Sequence, residues 1–343
     1  MAIFPDIRTG WLSAPLAAFT LACAGMAHAA PAGDAARTAE ASATSIGARV
    51  QFRTITIDGL KIFYREAGPP QAPTVILLHG FPASSFMYRN LIPQLAGHFH
   101  VVAPDFPGFG SSQVPAAREF AYTFEALTDV VEKLTERLGL QRYALYVQDI
   151  GGPVGFRLAS RNPQKVSALV VQNANAYEQG LPDSFWAPVR NLWRHPTRAN
   201  YDNIRKAAMS AETIEWNYTH GTRNIERIEP ENWLLQQALF SSAARQDAML
   251  ALIYDYRTNL EQYPVWQRYF RDHQPPTLIV WGRNDLIFPE TAARAYATDL
   301  PRAQLHLFDT GHFALEEEWP RIGGLMRDFL TRVTGPEAEG SAQ

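Results

Sequence analysis

From residue 52 onward the chain alternates short apolar runs with longer stretches of helical periodicity. Residues 52–57 and 61–66 flank Asp58-Gly59, the dipeptide of a tight hairpin turn, and predict an opening β-hairpin. Residues 74–78 form a nearly continuous apolar run, the pattern of a central strand buried on both faces. Further strands are predicted at 100–103, 143–147, 168–171, 278–281 and 304–308, with helices notably at 124–138 and 314–333. Eight strands interleaved with helices predict an α/β fold whose mostly parallel sheet carries helices on both faces.

The rhythm breaks over residues 177–264, where strand patterns vanish and aromatics gather. Trp186, Trp193, Trp216 and Trp233 fall there with Tyr201, Tyr218, Tyr254 and Tyr256, and Trp266 lies just beyond. This span reads as a helical cap inserted between two parts of one core, 48–176 and 265–335. Most of its aromatics are expected to fill the cap's own interior.

The N-terminus changes the picture. Arg8 precedes an apolar run over 11–27, followed by the small-x-small site Ala27-His28-Ala29. Residues 1–30 therefore read as an export signal, against the competing reading of an uncleaved anchor, and 31–47 as a flexible leader. The expectation is a periplasmic or secreted protein with no stable membrane anchor after cleavage. The single cysteine, Cys23, lies inside that signal, so the mature chain has no thiol for a disulfide, a nucleophile or a metal. Across the 343 residues, 31 Lys+Arg stand against 34 Asp+Glu, a net charge of −3 that offers nothing to nucleic acid.

Chemistry concentrates at predicted strand ends. Tyr146-Val147-Gln148-Asp149-Ile150-Gly151-Gly152 runs from an apolar strand through a turn of small residues into a helical pattern. A sharp strand-to-helix turn of this kind lifts one side chain above the sheet, here Asp149. Taken alone, Asp149 reads equally as a helix cap. Asp285 follows the strand ending at Gly282, and His312 follows Asp309-Thr310-Gly311 after the last strand. The order nucleophile, acid, histidine is that of a hydrolytic triad, with Glu178 the alternative acid. In Leu77-Leu78-His79-Gly80-Phe81-Pro82, the Phe81 N–H is placed to join that of Ile150 in an oxyanion hole, and His79 is expected to bond within its turn.

Together, HGFP at 79–82, APDFPGFG at 103–110, VQDIGG at 147–152, GRND at 282–285 and DTGH at 309–312 resemble the α/β-hydrolase superfamily. The resemblance runs from 52 to 333. Within it the chain is similar to the aspartate-nucleophile branch, which holds epoxide hydrolases, haloalkane dehalogenases and fluoroacetate dehalogenases. That resemblance implies a cap over the site and no cofactor.

The aspartate restricts the reaction independently. A carboxylate with a pKa of about 4 is already anionic at neutral pH and can displace a leaving group from saturated carbon, giving an alkyl ester. Water activated by His312, with Asp285 orienting the ring, can hydrolyse that ester. Haloalkane dehalogenases usually hold the halide with Trp after the nucleophile and with Asn in the HGxP turn or a second cap Trp. Those first two positions are Ile150 and Phe81 here, which lack side-chain donors. Fluoroacetate dehalogenases want Arg where Ile150 stands.

Epoxide hydrolases use cap tyrosines to protonate the opening oxygen, and Tyr256-Arg257-Thr258-Asn259 resembles the YRxN stretch that carries one. Tyr218, Tyr201 and His195 are candidates for a second donor. Epoxide hydrolysis is the expected activity, with haloalkane dehalogenation as the alternative and a non-catalytic ligand-binding protein as the second. A small apolar substrate is expected, with no metal and no nucleotide, since His98-Phe99-His100 lacks partner ligands and no phosphate-loop glycine motif occurs. Glu316-Glu317-Glu318 is expected to be a solvated helix start.

Overall fold

The computed structural model describes residues 49–335; the expected signal and leader, 1–47, lie outside the described residues. The chain opens with the hairpin β1 (Gln51–Ile57) and β2 (Leu60–Ala67), then β3 (Thr74–Leu78), α1 (Ile92–Leu95), β4 (His100–Pro104) and α2 (Phe124–Arg137). β5 (Tyr143–Gln148), α3 (Gly151–Arg161) and β6 (Val166–Gln172) follow. Six helices come next: α4 (Asp183–Arg194), α5 (Arg198–Ala208), α6 (Ala211–Thr219), α7 (Glu231–Phe240), α8 (Ala243–Asp255) and α9 (Arg257–His273). β7 (Thr277–Gly282), α10 (Glu290–Ala295), β8 (Gln304–Phe308) and α11 (Ala314–Thr334) complete the fold.

The eight strands form one sheet in the order β1-β2-β4-β3-β5-β6-β7-β8. β2 pairs antiparallel with both neighbours, and the pairings from β4 through β8 are all parallel. The hairpin closes through Asp58 and Gly59, both at positive φ, the backbone a two-residue turn needs to match strand twist. Every residue of β3, β5, β6 and β7 is buried, because helices cover both faces of these parallel strands. Their C-terminal ends share one edge, where an open α/β sheet presents its ligand-binding loops.

Between β6 and β7 the described chain contains helices and turns and no strand. The expected cap boundary at 264/265 falls inside α9. That helix packs on the sheet-covering α3, with Trp266 against Phe156 at 5.5 Å and Arg157 donating to Asn259 Oδ1 at 2.7 Å. The aromatic face of α9 thus belongs to the core side, although its sequence position continues the cap.

The acidic start of α11 departs from expectation. Glu316 and Glu317 are buried. Arg89 Nη2 donates to Glu316 Oε2 at 2.9 Å, Asn232 Nδ2 donates to the same oxygen at 2.6 Å, and the Asn224 N–H donates to Glu317 Oε1 at 2.9 Å. The carboxylates are sequestered because residues 224 and 232, far away in sequence, bring donors across to them. No helix of the described residues is long and apolar enough to cross a membrane.

Candidate functional site

The site grows from the end of β5. Asp149 follows that strand with φ at +48°, a left-handed backbone that costs a non-glycine residue strain and lifts its side chain out of the sheet. Small residues make room for the turn. A Cβ on Gly151 would lie 2.2 Å from the Leu78 carbonyl oxygen, and one on Gly80 would lie 2.4 Å from Asp149 Cβ.

The Phe81 N–H donates to Asp149 Oδ1 at 2.7 Å, and the Ile150 N–H also faces the carboxylate. Asp149 Oδ2 lies 3.8 Å from His312 Nε2. His312 Nδ1 in turn lies 2.8 Å from Asp285 Oδ2. Asp285 is held from two further sides, by the Ile287 N–H on Oδ1 at 2.8 Å and by Asn173 Nδ2 on Oδ2 at 2.8 Å. A carboxylate only accepts, so the neutral ring carries its proton on Nδ1 and presents a lone pair on Nε2. Asp149, His312 and Asp285, from three strand ends, thus stand in one line, hydrogen-bonded between His312 and Asp285 and in close charge contact between His312 and Asp149, whereas Glu178 sits in the short turn before α4.

Burial drives the electrostatics. It pushes the Asp149 carboxyl above its ordinary range, while His312 and the N–H groups of Phe81 and Ile150 pull it back. Burial alone would lower His312, but the Asp285 carboxylate and its hydrogen bond outweigh that, so the imidazole ends above 6.5.

Above Asp149 lies a cavity of about 210 Å³, floored by Asp149, Ile150 and Phe81. Its cap-side wall is mostly apolar and includes Phe185, Trp186, Trp216, Met249, Leu252 and Tyr256. Trp186 spends its indole N–H on the Ile287 carbonyl at 2.9 Å, and Trp193 spends its own on the Ile253 carbonyl at 2.9 Å. Tyr256, at the junction of α8 and α9, packs against Phe124 and Trp186. Its buried hydroxyl has no hydrogen-bond partner, lying close to the Tyr263 hydroxyl in a geometry short of a bond. Burial drives this phenol well above 10, so it stays protonated.

The three candidates for a second donor are not brought to this cavity. Tyr218 turns away on α6 and stacks on Phe313 at 4.2 Å, leaving the adjacent Trp216 and Asn217 on the wall. Tyr201 packs against Tyr254 and borders a separate groove beside residues 115–123. His195 is exposed at the C-terminal end of α4. His79 bonds locally, its Nδ1 on the Gly80 carbonyl and its Nε2 accepting from the Phe106 N–H.

Three contributors escaped the sequence reading. Asn173, also at positive φ, ties the end of β6 to Asp285 and, through its backbone, to the Asp149 N–H. Gln148 reaches the ring of His312. Asn217 is a polar group on the cavity wall. A buried amide at the end of an apolar strand is the one available signal: Gln148 closes β5 and Asn173 directly follows β6.

Comparison with known proteins agrees with this architecture. The family model of the alpha/beta hydrolase fold matches residues 73–318. An uncharacterised hydrolase of Saccharomyces cerevisiae is 41% identical over 261 residues, spanning 76% of this chain and 89% of its own. A haloalkane dehalogenase of Psychrobacter cryohalolentis is 40% identical over 116 residues, 33% of this chain and 38% of its own. The crystal structure of the haloalkane dehalogenase DbeA from Bradyrhizobium elkani superposes with a TM-score of 0.70 at 23% identity, covering 85% of this chain and 100% of that one. At that identity the likeness speaks for the fold.

Proposed function

The chain belongs to the α/β-hydrolase fold family, and we propose that it is an epoxide hydrolase working through a covalent ester on Asp149. The observation that carries this reading is the unpartnered, buried hydroxyl of Tyr256, which lines the same apolar cavity as the Asp149 carboxylate. Asp149 Oδ1 is occupied by the Phe81 N–H, which leaves Oδ2 as the attacking atom. As Oδ2 forms its bond to a ring carbon, the carbon–oxygen bond of the epoxide breaks and the oxygen takes the Tyr256 proton. Water, deprotonated by His312, then attacks the carboxyl carbon of the ester. The N–H groups of Phe81 and Ile150 hold the resulting oxyanion. Collapse breaks the ester bond to the substrate oxygen, which takes the proton from His312 and leaves as the vicinal diol, and the acid proton then on Asp149 returns to the Tyr256 phenolate, so one epoxide and one water are consumed.

Haloalkane hydrolysis is the second reading, favoured by the named dehalogenases among the similar proteins. It needs N–H donors for the departing halide. Beside Asp149 the side chains of Phe81 and Ile150 offer none, and among the tryptophans on the cavity wall Trp186 is already engaged, leaving Trp216. Tyr256→Phe separates the two readings. Diol formation from an epoxide panel is expected to fall by roughly 100-fold or more, with the fold retained. Unchanged epoxide turnover, or halide release as the one activity found, overturns the epoxide reading. Export, carried by the N-terminal pattern, places this chemistry outside the cytoplasm in the same proposal.

The pH dependence follows from the two shifted groups. Ester hydrolysis needs a neutral His312, whose pKa stands above 6.5, so kcat is expected to fall as pH drops through that value. Ester formation needs an ionised Asp149, which the positive charge of a protonated His312 beside it favours, so that step persists where the ring is cationic. Wild-type enzyme quenched in mild acid is therefore expected to accumulate covalent adduct, read by intact mass. A constant adduct fraction from neutral to mildly acidic pH contradicts this assignment of the base.

A further inference from the structure

One close contact of His312 has no part in the reaction just described. Gln148, the last residue of β5, is fully buried, and its Nε2 lies 3.1 Å from His312 Nε2, the nitrogen assigned to take the proton of water. The amide's orientation follows from chemistry. Nδ1 donates to Asp285, the neutral ring accepts at Nε2, and the amide must therefore present its N–H there. At the other end, Gln148 Oε1 is buried without any hydrogen-bond partner, over the Gly80 backbone, where a Cβ would come within 2.0 Å of it.

That arrangement suits the resting ring only. Once Nε2 carries a proton, two N–H groups face each other at hydrogen-bond distance. An amide bonded at both ends would be locked in that conflict. Gln148 has no bond to lose at its far end, so a half-turn of the amide gives up nothing there and brings Oε1 to the imidazolium. We infer that Gln148 is a positioning residue with two amide settings, donating to neutral His312 and turning over to accept from its cation during ester hydrolysis. Its buried side chain then stabilises the charge that the second step creates on the ring.

The ionisable groups facing the ring are Asp285 at Nδ1 and Asp149 at 3.8 Å from Nε2, while the packed rings of Phe288 and Phe313 add none. The two settings and a fixed donor predict opposite signs when the amide is removed. A fixed donor favours the neutral ring, so removing it raises the titration midpoint of His312. A turning amide favours the cation more, because a hydrogen bond to a charged group is the stronger one, so removing it lowers the midpoint.

The inference rests on the proposed reaction only for the role of the ring, and the test needs no substrate. NMR of ring-labelled histidine, with the His312 signal identified by its loss in His312→Gln, is expected to show a midpoint lower by roughly half to one unit in Gln148→Met. Gln148→Glu, a fixed anionic acceptor, is expected to raise it by about one unit or more. In wild type, the Gln148 side-chain amide signals are expected to shift with the same midpoint as the ring. A higher or unchanged midpoint in Gln148→Met, or wild-type amide signals indifferent to the ring's charge, overturns the two-setting amide. The absence of epoxide turnover alone would instead overturn the reaction class.

Discussion

His312→Gln is expected to halt the enzyme after one chemical step, with protein mass increased by that of one whole epoxide. The attacking Asp149 Oδ2 needs no base, since a carboxylate is ionised at neutral pH, so the ester still forms. Its hydrolysis does need one, and no other group is placed to serve. Asp285 is engaged by Asn173 and Ile287 on the far side of the ring, and Gln148 is not basic. Loss of a positioned general base costs about 10²–10⁴-fold, which is enough for the adduct to outlast a mass measurement. Peptide mapping is expected to place the added mass on Asp149. An adduct formed only from haloalkanes, with the halide lost, would instead select dehalogenation. No adduct from either panel, in a variant shown to be folded, would count against an aspartate nucleophile altogether.

Arg89→Met is expected to give a large loss of stability through a change away from the cavity. Arg89 bonds Glu316 through Nη1 and Nη2 and Glu229 through Nε, and the Glu316 side chain is only 2% exposed. Truncating one member of a buried ion pair leaves an uncompensated charge, at a cost of ~3–5 kcal/mol. Burial already pushes the Glu316 carboxyl above its ordinary range, with Arg89 and Asn232 pulling it back. In the variant, Glu316 is expected to take up a proton instead of remaining charged. Urea unfolding is expected to show a lower midpoint, and adding Glu316→Gln to recover part of the loss. Equal stability of Arg89→Met and wild type would remove this network from the forces that hold α7 and its flanking turns to the start of α11.

The aspartate, the acid and the histidine were legible in the sequence because each stands just past an apolar strand and beside small residues. Strand periodicity and turn chemistry are local properties, and the end of a buried parallel strand is where side chains emerge toward a ligand. Tyr256, singled out by its YRxN stretch, lies on the cavity wall. Tyr218 and Tyr201 are candidates as cap tyrosines and His195 by its distance after the nucleophile, and neither ground fixes an orientation. Spacing along a helix does not say which side faces the cavity when a cap helix buries residues on more than one side. On α6 the turn from 216 to 218 takes the chain from cavity wall to the packing behind it.

By itself, then, the sequence determined the alternation of strands and helices, the hairpin turn at Asp58-Gly59, the aspartate at the elbow and the order of its partners. These rest on interactions between residues near one another along the chain. Only the tertiary structure decided the burial of Glu316 and Glu317, the free hydroxyl of Tyr256 and the amide of Gln148 on His312. Arg89 and Glu316 are 227 positions apart, and Gln148 and His312 are 164 apart. No local pattern encodes such pairs, because whether a charged or amide side chain faces water or a partner is set by what folding brings across from the other end of the chain.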